Sequence, residues 1–447
     1  MLKKFHGIIF LLIIILAVLV RLLYITYAGD AITIEPDSQG YYTKGNFFTE
    51  DFLHNYFNAN RMPGYPMFTS ILISASGYGH PPYLSNDFFM GSWYIILAQT
   101  VIGVAGLFIL YDLLRAIGLS QKWSLAFMLF TSLNVYQFIW EHAFLNYALY
   151  ITLLTIILRL FVALLKKPTS FMGSIFVLVS GYAFLVRPAG IGIPFLLLLF
   201  VWFRHKTKKV FMLLATMLFV YSLFPLSHIV ANRMLYNVKG LANSTDFVPF
   251  GRILKYNIPI DSAQSVQPLY NEVVEYRRIG GNVSIPWYFF VYYNDRIYSH
   301  LDEVQRFNSL VIRKYWFPYT ATIIGDIPEV FFNTDVSGVL YHAPTPSISR
   351  TFFDTLAWIY ASLQQMTFIF FIIFPISLWF YIKKQTVLHT FLLAIGTVQL
   401  YQIILTPTIG GSWDFAGHMI TTQTYLFFFC FWGIITIVQS IKSRFRF

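Results

Sequence analysis

Charge is scarce in this chain. Only 11% of its 447 residues are Asp, Glu, Lys or Arg, while 57% are hydrophobic. A soluble domain of that length cannot wet its surface with so few charges, so an ordinary soluble globule is excluded. Cysteine is scarcer still. Cys430 stands alone inside an apolar run, which excludes a disulfide framework within one chain. Internal repeats and low-complexity tracts are lacking as well. The formal net charge of +11 would suit a nucleic-acid partner in a soluble protein. In so apolar a chain no nucleic-acid partner is expected, and the useful question is where the cations sit.

What fills the chain instead is a series of apolar segments of about 20 residues, the length that crosses a hydrocarbon core of roughly 30 Å. Ten spans are predicted, near 7–27, 93–114, 123–141, 143–165, 171–187, 189–203, 210–230, 353–382, 387–406 and 416–441. The first follows Lys3, Lys4 and His6 as a signal peptide would, but its length and the poor cleavage site at Tyr27-Ala28-Gly29-Asp30 favour a retained helix. With the N-terminus inside, the short inner segments hold Lys3/Lys4, Arg115/Lys122, Lys166/Lys167, Arg204/Lys206/Lys208/Lys209, Lys383/Lys384 and Lys442/Arg444/Arg446. That is 15 of the 31 Lys and Arg. The short outer turns carry almost none, so the positive-inside rule places both termini in the cytoplasm. The Phe, Ile, Lys and Tyr bias fits a bacterial inner membrane. The expected fold is therefore an all-α polytopic membrane protein of about ten transmembrane helices.

Two outer loops, about 28–92 and 231–352, are too long for mere connections. The second alternates Asn, Pro and Gly clusters with amphipathic stretches such as Glu303 to Trp316, and predicts a small, mostly helical extracytoplasmic subdomain. The chain thus divides into an N-terminal module over 1–230, the loop subdomain over 231–352, and C-terminal helices over 353–447. Aromatic residues make up 19%. Interfacial belts and lipid-facing surface account for most of them. The loop tyrosines Tyr41, Tyr42, Tyr65, Tyr288, Tyr292 and Tyr293 can also line a sugar or lipid groove.

The first outer loop is the most informative. Pro36 disfavours helix at Glu35, and Asp37 or Ser38 can then cap a short helix through Tyr42 and beyond. A carboxylate there, just outside the bilayer, is placed to accept a proton or hold a cation, although a plain capping role also explains it. Arg61-Met62-Pro63-Gly64-Tyr65-Pro66 reads as a rigid turn whose arginine offers a guanidinium fork to a phosphate, or binds lipid headgroups. Trp140-Glu141-His142 follows the third span. Ionisable groups at such a site need water or a partner, and with Asp37 they form a candidate set, Asp37, Glu141 and His142, for a divalent metal ion. Arg187 ends the fifth span where the positive-inside rule would place no cation, and Arg21 lies within the first span. Both are candidates for holding an anion or pairing with Asp37. Arg159 reads as snorkelling.

Together these residues resemble the GT-C superfamily of polyprenyl-phosphate-sugar-dependent glycosyltransferases, most of all the branch of lipid A aminoarabinose transferases and protein O-mannosyltransferases. The pattern is carried by Arg21, by the Asp-x-x-x-Tyr element from Asp37 to Tyr41, by Arg61 with its Pro-rich turn, by Glu141, and by Arg187-Pro188. It runs in order over about the first 200 residues. The second half matches loosely. His418, in Trp413-Asp414-Phe415-Ala416-Gly417-His418, stands where the family carries arginine, and Arg277, Arg278 and His342 of the large loop read as structural or solvated. The resemblance implies inverting sugar transfer from a polyprenyl-phosphate donor to an acceptor hydroxyl on a glycan, lipid or protein. Asp37 would be the base, Glu141 its support or a metal ligand, and Arg61, Arg187, Arg21, Tyr41, Tyr42, His142 and His418 would bind substrate. A groove for the prenyl tail is expected beside the segment after Pro66. Two other readings stand beside it. A lipid-linked-glycan flippase or transporter would show repeats and broken helices. An O-antigen polymerase or ligase would rely on Arg and His in the large loop.

Overall fold

The computed structural model describes residues 2–28, 36–46, 52–57, 61–78, 81–236, 238, 240–241, 244–278, 301–332, 348–383, 386–409 and 415–444. Among them helix is the regular structure and no strand occurs. In chain order the first elements are α1 (Leu2–Ala28), α2 (Pro36–Asn46), α3 (Phe52–Tyr56), α4 (Gly64–Ser76), α5 (Asn86–Ala116) and α6 (Gln121–Ser132). They are followed by α7 (Val135–Glu141), α8 (Tyr147–Lys166), α9 (Ser170–Val186), α10 (Ile193–His205) and α11 (Lys208–Tyr236). Basic residues end several of them, with Arg115 in the last turn of α5, Lys166 in that of α8, and Arg204 and His205 in that of α10. Cations there meet the negative end of the helix dipole as well as the polar side of a membrane.

Among the described residues, eight helices are long and apolar enough to cross a membrane, by length and composition. They are α1, α5, α8, α10 with its preceding turn, α11, and the helices over Thr351–Ile382, Val387–Thr408 and Thr421–Val438. Each of the ten expected spans has a helical counterpart, but two differ from expectation. α9 has 17 residues, so it rises only about 26 Å. The expected third span is broken into α6 and α7 at Leu133–Asn134, which leaves α6 about 18 Å long.

Local chemistry explains the break. Ser132 turns its hydroxyl back to Leu129 O at 2.8 Å, and Asn134 takes an extended backbone with φ −68° and ψ 99°. Ser and Asn compete in this way with the helical ladder. The Asn134 amide donates to Gln423 Oε1 at 3.0 Å, Gln423 donates to Gln364 Oε1 at 2.6 Å, and Gln364 donates to Val330 O at 3.2 Å. This buried amide ladder joins the N-terminal helices to the last ones. Satisfied polar groups are what allow irregular backbone inside an apolar bundle.

α8 sits at the centre and packs against α5, α9 and α10 and against the helices Val387–Ile409 and Phe415–Arg444. In its most apolar stretch 78% of residues are buried, against 28% for α1 at the edge. Arg159 near its end pairs with Asp112 of α5, an ion pair where free snorkelling is expected from sequence.

A second hydrophobic core is built from residues 247–319 alone, around Phe250, Val273, Phe307 and Val311. The amphipathic stretch expected over Glu303 to Trp316 is a helix at Leu301–Lys314, burying Val304, Phe307, Asn308 and Val311 at helical spacing. Arg277 donates to Ile253 O and Ile258 O, and Arg278 pairs with Glu275 on the surface, both structural roles. At the same surface Lys314, together with Tyr315, hydrogen-bonds the carboxyl of Asp261 and holds it below the usual carboxylate range. Tyr288, Tyr292, Tyr293 and His342 lie outside the described residues.

Arg252 ties this unit to the bundle. Fully buried, it donates to Asp326 at 2.7 Å, to Thr322 at 3.2 Å and to the carbonyl of Pro407 in the Val387–Ile409 helix. Removing one partner of a buried pair leaves the other charged and unpaired, at about 3–5 kcal/mol. Arg252→Gln should therefore lower the thermal midpoint of the purified protein and speed proteolysis within 244–325. An unchanged midpoint and cleavage rate would show that the contact does not hold the two parts together.

Candidate functional site

The polar centre is assembled at one end of the bundle from side chains of α1, α2, α4, α5, α7 and the turns before α8 and after α9. Its anchor is Arg21, 2% exposed, which donates from Nε to Glu141 Oε2 at 2.6 Å and from Nη2 to Oε1 at 2.8 Å. Its remaining nitrogen donates to Ala17 O at 3.2 Å and Ser132 O at 3.5 Å. Glu141 is 1% exposed. At the end of an apolar span it is expected to need water or a partner. A bidentate guanidinium is the partner that lets a carboxylate stay buried there. Gly103 makes the approach possible, because a Cβ at that position of α5 would fall on the Glu141 carboxylate.

From this pair a connected path crosses to the other arginines. Gln99 of α5 donates to the carbonyls of Glu141 and Ala143, both at 2.8 Å, and so holds the α7 terminus. Its own oxygen accepts from the Tyr65 hydroxyl at 2.7 Å. Tyr65 stacks edge-on with Tyr41, ring centres 5.0 Å apart. The Tyr41 hydroxyl accepts from Asn146 at 3.0 Å, Asn146 also donates to Val186 O at 2.8 Å, and its oxygen faces Arg187 Nη1 at 3.4 Å. Arg187 lies over the Tyr147 ring at 4.6 Å, and Arg61 lies over the Tyr41 ring at 5.2 Å. Two guanidinium groups thus flank the Tyr41–Asn146 contact.

The first loop is shaped by its short helices. Pro36 begins α2, where its missing N–H costs no helical hydrogen bond. Ser38 lies in the first turn of that helix. Its hydroxyl donates to Phe144 O at 3.0 Å, fastening α2 to the turn after His142. The expected rigid turn at 61–66 starts α4, a helix of 13 residues, with Pro63 as its cap residue and Pro66 in its first turn. Gly64 lets α4 begin against the end of α9, since a Cβ there would lie 2.6 Å from the backbone of Leu185 and Val186. That contact brings Arg61 and Arg187 to the same corner.

Of the residues singled out from sequence, Arg21, Tyr41, Arg61, Glu141 and Arg187 join this one cluster. His142 is beside it, its ring edge-on to Tyr24 at 5.6 Å and to Trp93 at 5.5 Å. Tyr42 faces away, donating to Pro81 O and packing on Phe88 at 4.6 Å. The side chains of Asp37 and His418 lie outside the described residues, although both positions are helical. Arg21 takes Glu141 as its partner, where an anion or Asp37 is expected from sequence. Both Glu141 oxygens accept from Arg21. Among the described residues no three His, Cys, Asp or Glu side chains come together to hold an ion. An apolar cavity of about 390 Å³ lies between α6 and the helices Ile348–Met366 and Phe415–Arg444, lined by Trp123, Phe127, Phe130 and Phe431.

Gln99 and Asn146 are not among the residues singled out from sequence. The signal for Gln99 was present, a lone amide inside an apolar span. Nothing local marked Asn146.

These helices and this polar centre define a polytopic helical membrane protein. No family model matches the chain, and no curated protein matches it.

The pair itself is testable. Glu141→Gln should destabilise the protein by about 3–5 kcal/mol, because it leaves Arg21 buried and unpaired. The double variant Arg21→Met/Glu141→Leu should recover much of that loss in thermal unfolding. Equal damage from single and double variants would mean that the two groups are not coupled.

Proposed function

We propose that this protein transfers a sugar from a polyprenyl-phosphate donor to an acceptor hydroxyl at the outer face of a membrane, with inversion at the anomeric carbon. One observation carries most of the reading. Arg21, Tyr41, Arg61, Glu141 and Arg187, far apart in sequence, meet in one polar cluster within an apolar helical bundle. The same residues carry the GT-C resemblance.

In this reading Asp37, at the start of α2, takes the proton of the acceptor hydroxyl as that oxygen bonds to the anomeric carbon. The bond from that carbon to the phosphate oxygen breaks, and polyprenyl phosphate leaves with the electron pair. General-base help of this kind is worth about 10²–10⁴-fold in rate. Arg61 and Arg187 stabilise the charge growing on the phosphate. Arg21 and Glu141 act as a positioning pair that fixes α7 and the turn carrying His142 and Asn146. The broken α6–α7 helix favours a second reading, a transporter of lipid-linked sugar, because discontinuous helices are a transporter feature.

Purified protein given a labelled polyprenyl-phosphate sugar and an acceptor extract decides between them. A transferase releases polyprenyl phosphate, whereas a transporter moves the intact lipid. Asp37→Asn should abolish release while the protein remains folded and inserted, and near-normal release would remove Asp37 as the base. Arg61→Ala should raise the donor concentration needed by tenfold or more, on the order of one charge-assisted contact. Unchanged donor kinetics would leave Arg61 as an anchor of the loop only.

A further inference from the structure

At the opposite, basic end of the bundle a cleft of about 950 Å³ opens between α9 and α11. Lys167 and Lys209, both exposed, stand at its mouth beside Thr169 and Ser170. Beyond the mouth its walls become apolar, with Val177, Leu178, Leu213 and Val220. Small side chains let α9 and α11 pack closely along the cleft. Gly173 and Ser174 line α9, and a Cβ on Gly173 would already meet Met217 Sδ at 2.9 Å.

The charge around this cleft has one sign. Between Glu141 and Asp246 the sequence contains no Asp or Glu, while Lys166, Lys167, Arg204, Lys206, Lys208 and Lys209 fall within that stretch. Asp112 of α5, the carboxylate brought towards this end of α8, is already paired with Arg159. The amide ends of α9 and α11 add to the positive field at the mouth. On the outer faces of both helices Phe171, Phe211, Met212 and Phe219 are exposed apolar groups, the surface that acyl chains cover.

We propose that this cleft binds an anionic glycerophospholipid of the adjacent leaflet, its phosphate between Lys167 and Lys209 and an acyl chain along Val177 and Val220. An occupant must carry a negative head on an apolar tail. A free anion would satisfy the mouth but leave the apolar walls uncovered, and a zwitterionic lipid would satisfy the walls but gain little from two lysines. Basic pockets between helices on such a face recognise anionic headgroups in this way. The inference stands apart from the proposed transferase reaction.

The full-length protein, solubilised from mixed vesicles of phosphatidylglycerol and phosphatidylcholine, can be tested by native mass spectrometry for retained lipid. With about 1 kcal/mol per lysine, a preference for phosphatidylglycerol of roughly tenfold to thirtyfold is expected. Lys167→Gln/Lys209→Gln should bring it close to one. Ser174→Trp fills the apolar part while keeping both lysines, and should also remove retained lipid. Equal retention of the two lipids by the unaltered protein would overturn the proposal. So would an unchanged preference in Ser174→Trp, since the lysines would then act as surface charge only. Loss of phosphatidylglycerol to millimolar inorganic phosphate, with phosphatidylcholine unaffected, would point to a free anion and against a lipid.

Discussion

A guanidinium and a carboxylate buried together at the end of an apolar bundle govern the rest of this molecule. Arg21 and Glu141 come from segments 120 residues apart and are almost inaccessible. Either charge alone would be expelled from such surroundings, so the pair forms only when α1 and α7 reach one register. That requirement sets the position of the α7 terminus. Gln99 then locks the carbonyls on either side of His142. The turn that follows presents Asn146 to Tyr41 and Arg187. The polar centre is therefore a consequence of one ion pair and the hydrogen bonds propagated from it, each satisfying a group that could not otherwise stay dry.

Close approach of backbone makes that geometry attainable. Gly103 opens α5 to the Glu141 carboxylate, and Gly64 lets the start of α4 touch the end of α9. Larger residues at these positions would separate the elements that carry the arginines. The break between α6 and α7 has a related role. A continuous helix would carry Glu141 along one straight axis, whereas the interruption at Asn134 allows α7 its own direction. The amide ladder through Gln423 and Gln364 takes up the Asn134 side-chain N–H at the interruption.

The second core follows a different logic. Its helices are amphipathic and bury a cluster of their own, as a small soluble unit would. It meets the bundle through Arg252, whose nitrogens reach both Asp326 and the carbonyl of Pro407. A polar, directional tie of this kind fixes orientation more than it adds stability.

The sequence by itself determined the helical, membrane-spanning class, the basic segments at one end, and the amphipathic helix near residue 303. These follow from hydropathy, period and charge placement, which are properties of short windows. It also singled out Arg21, Tyr41, Arg61, Glu141 and Arg187, because ionisable or aromatic groups at the ends of apolar runs are conspicuous one at a time. Tertiary structure alone decided who meets whom: Arg21 with Glu141 instead of Asp37, Asn146 as the link to Arg187, Arg252 with Pro407. It also decided that the third apolar run is interrupted at Asn134. A partner choice between buried polar groups depends on register across distant helices, and no local pattern encodes that register.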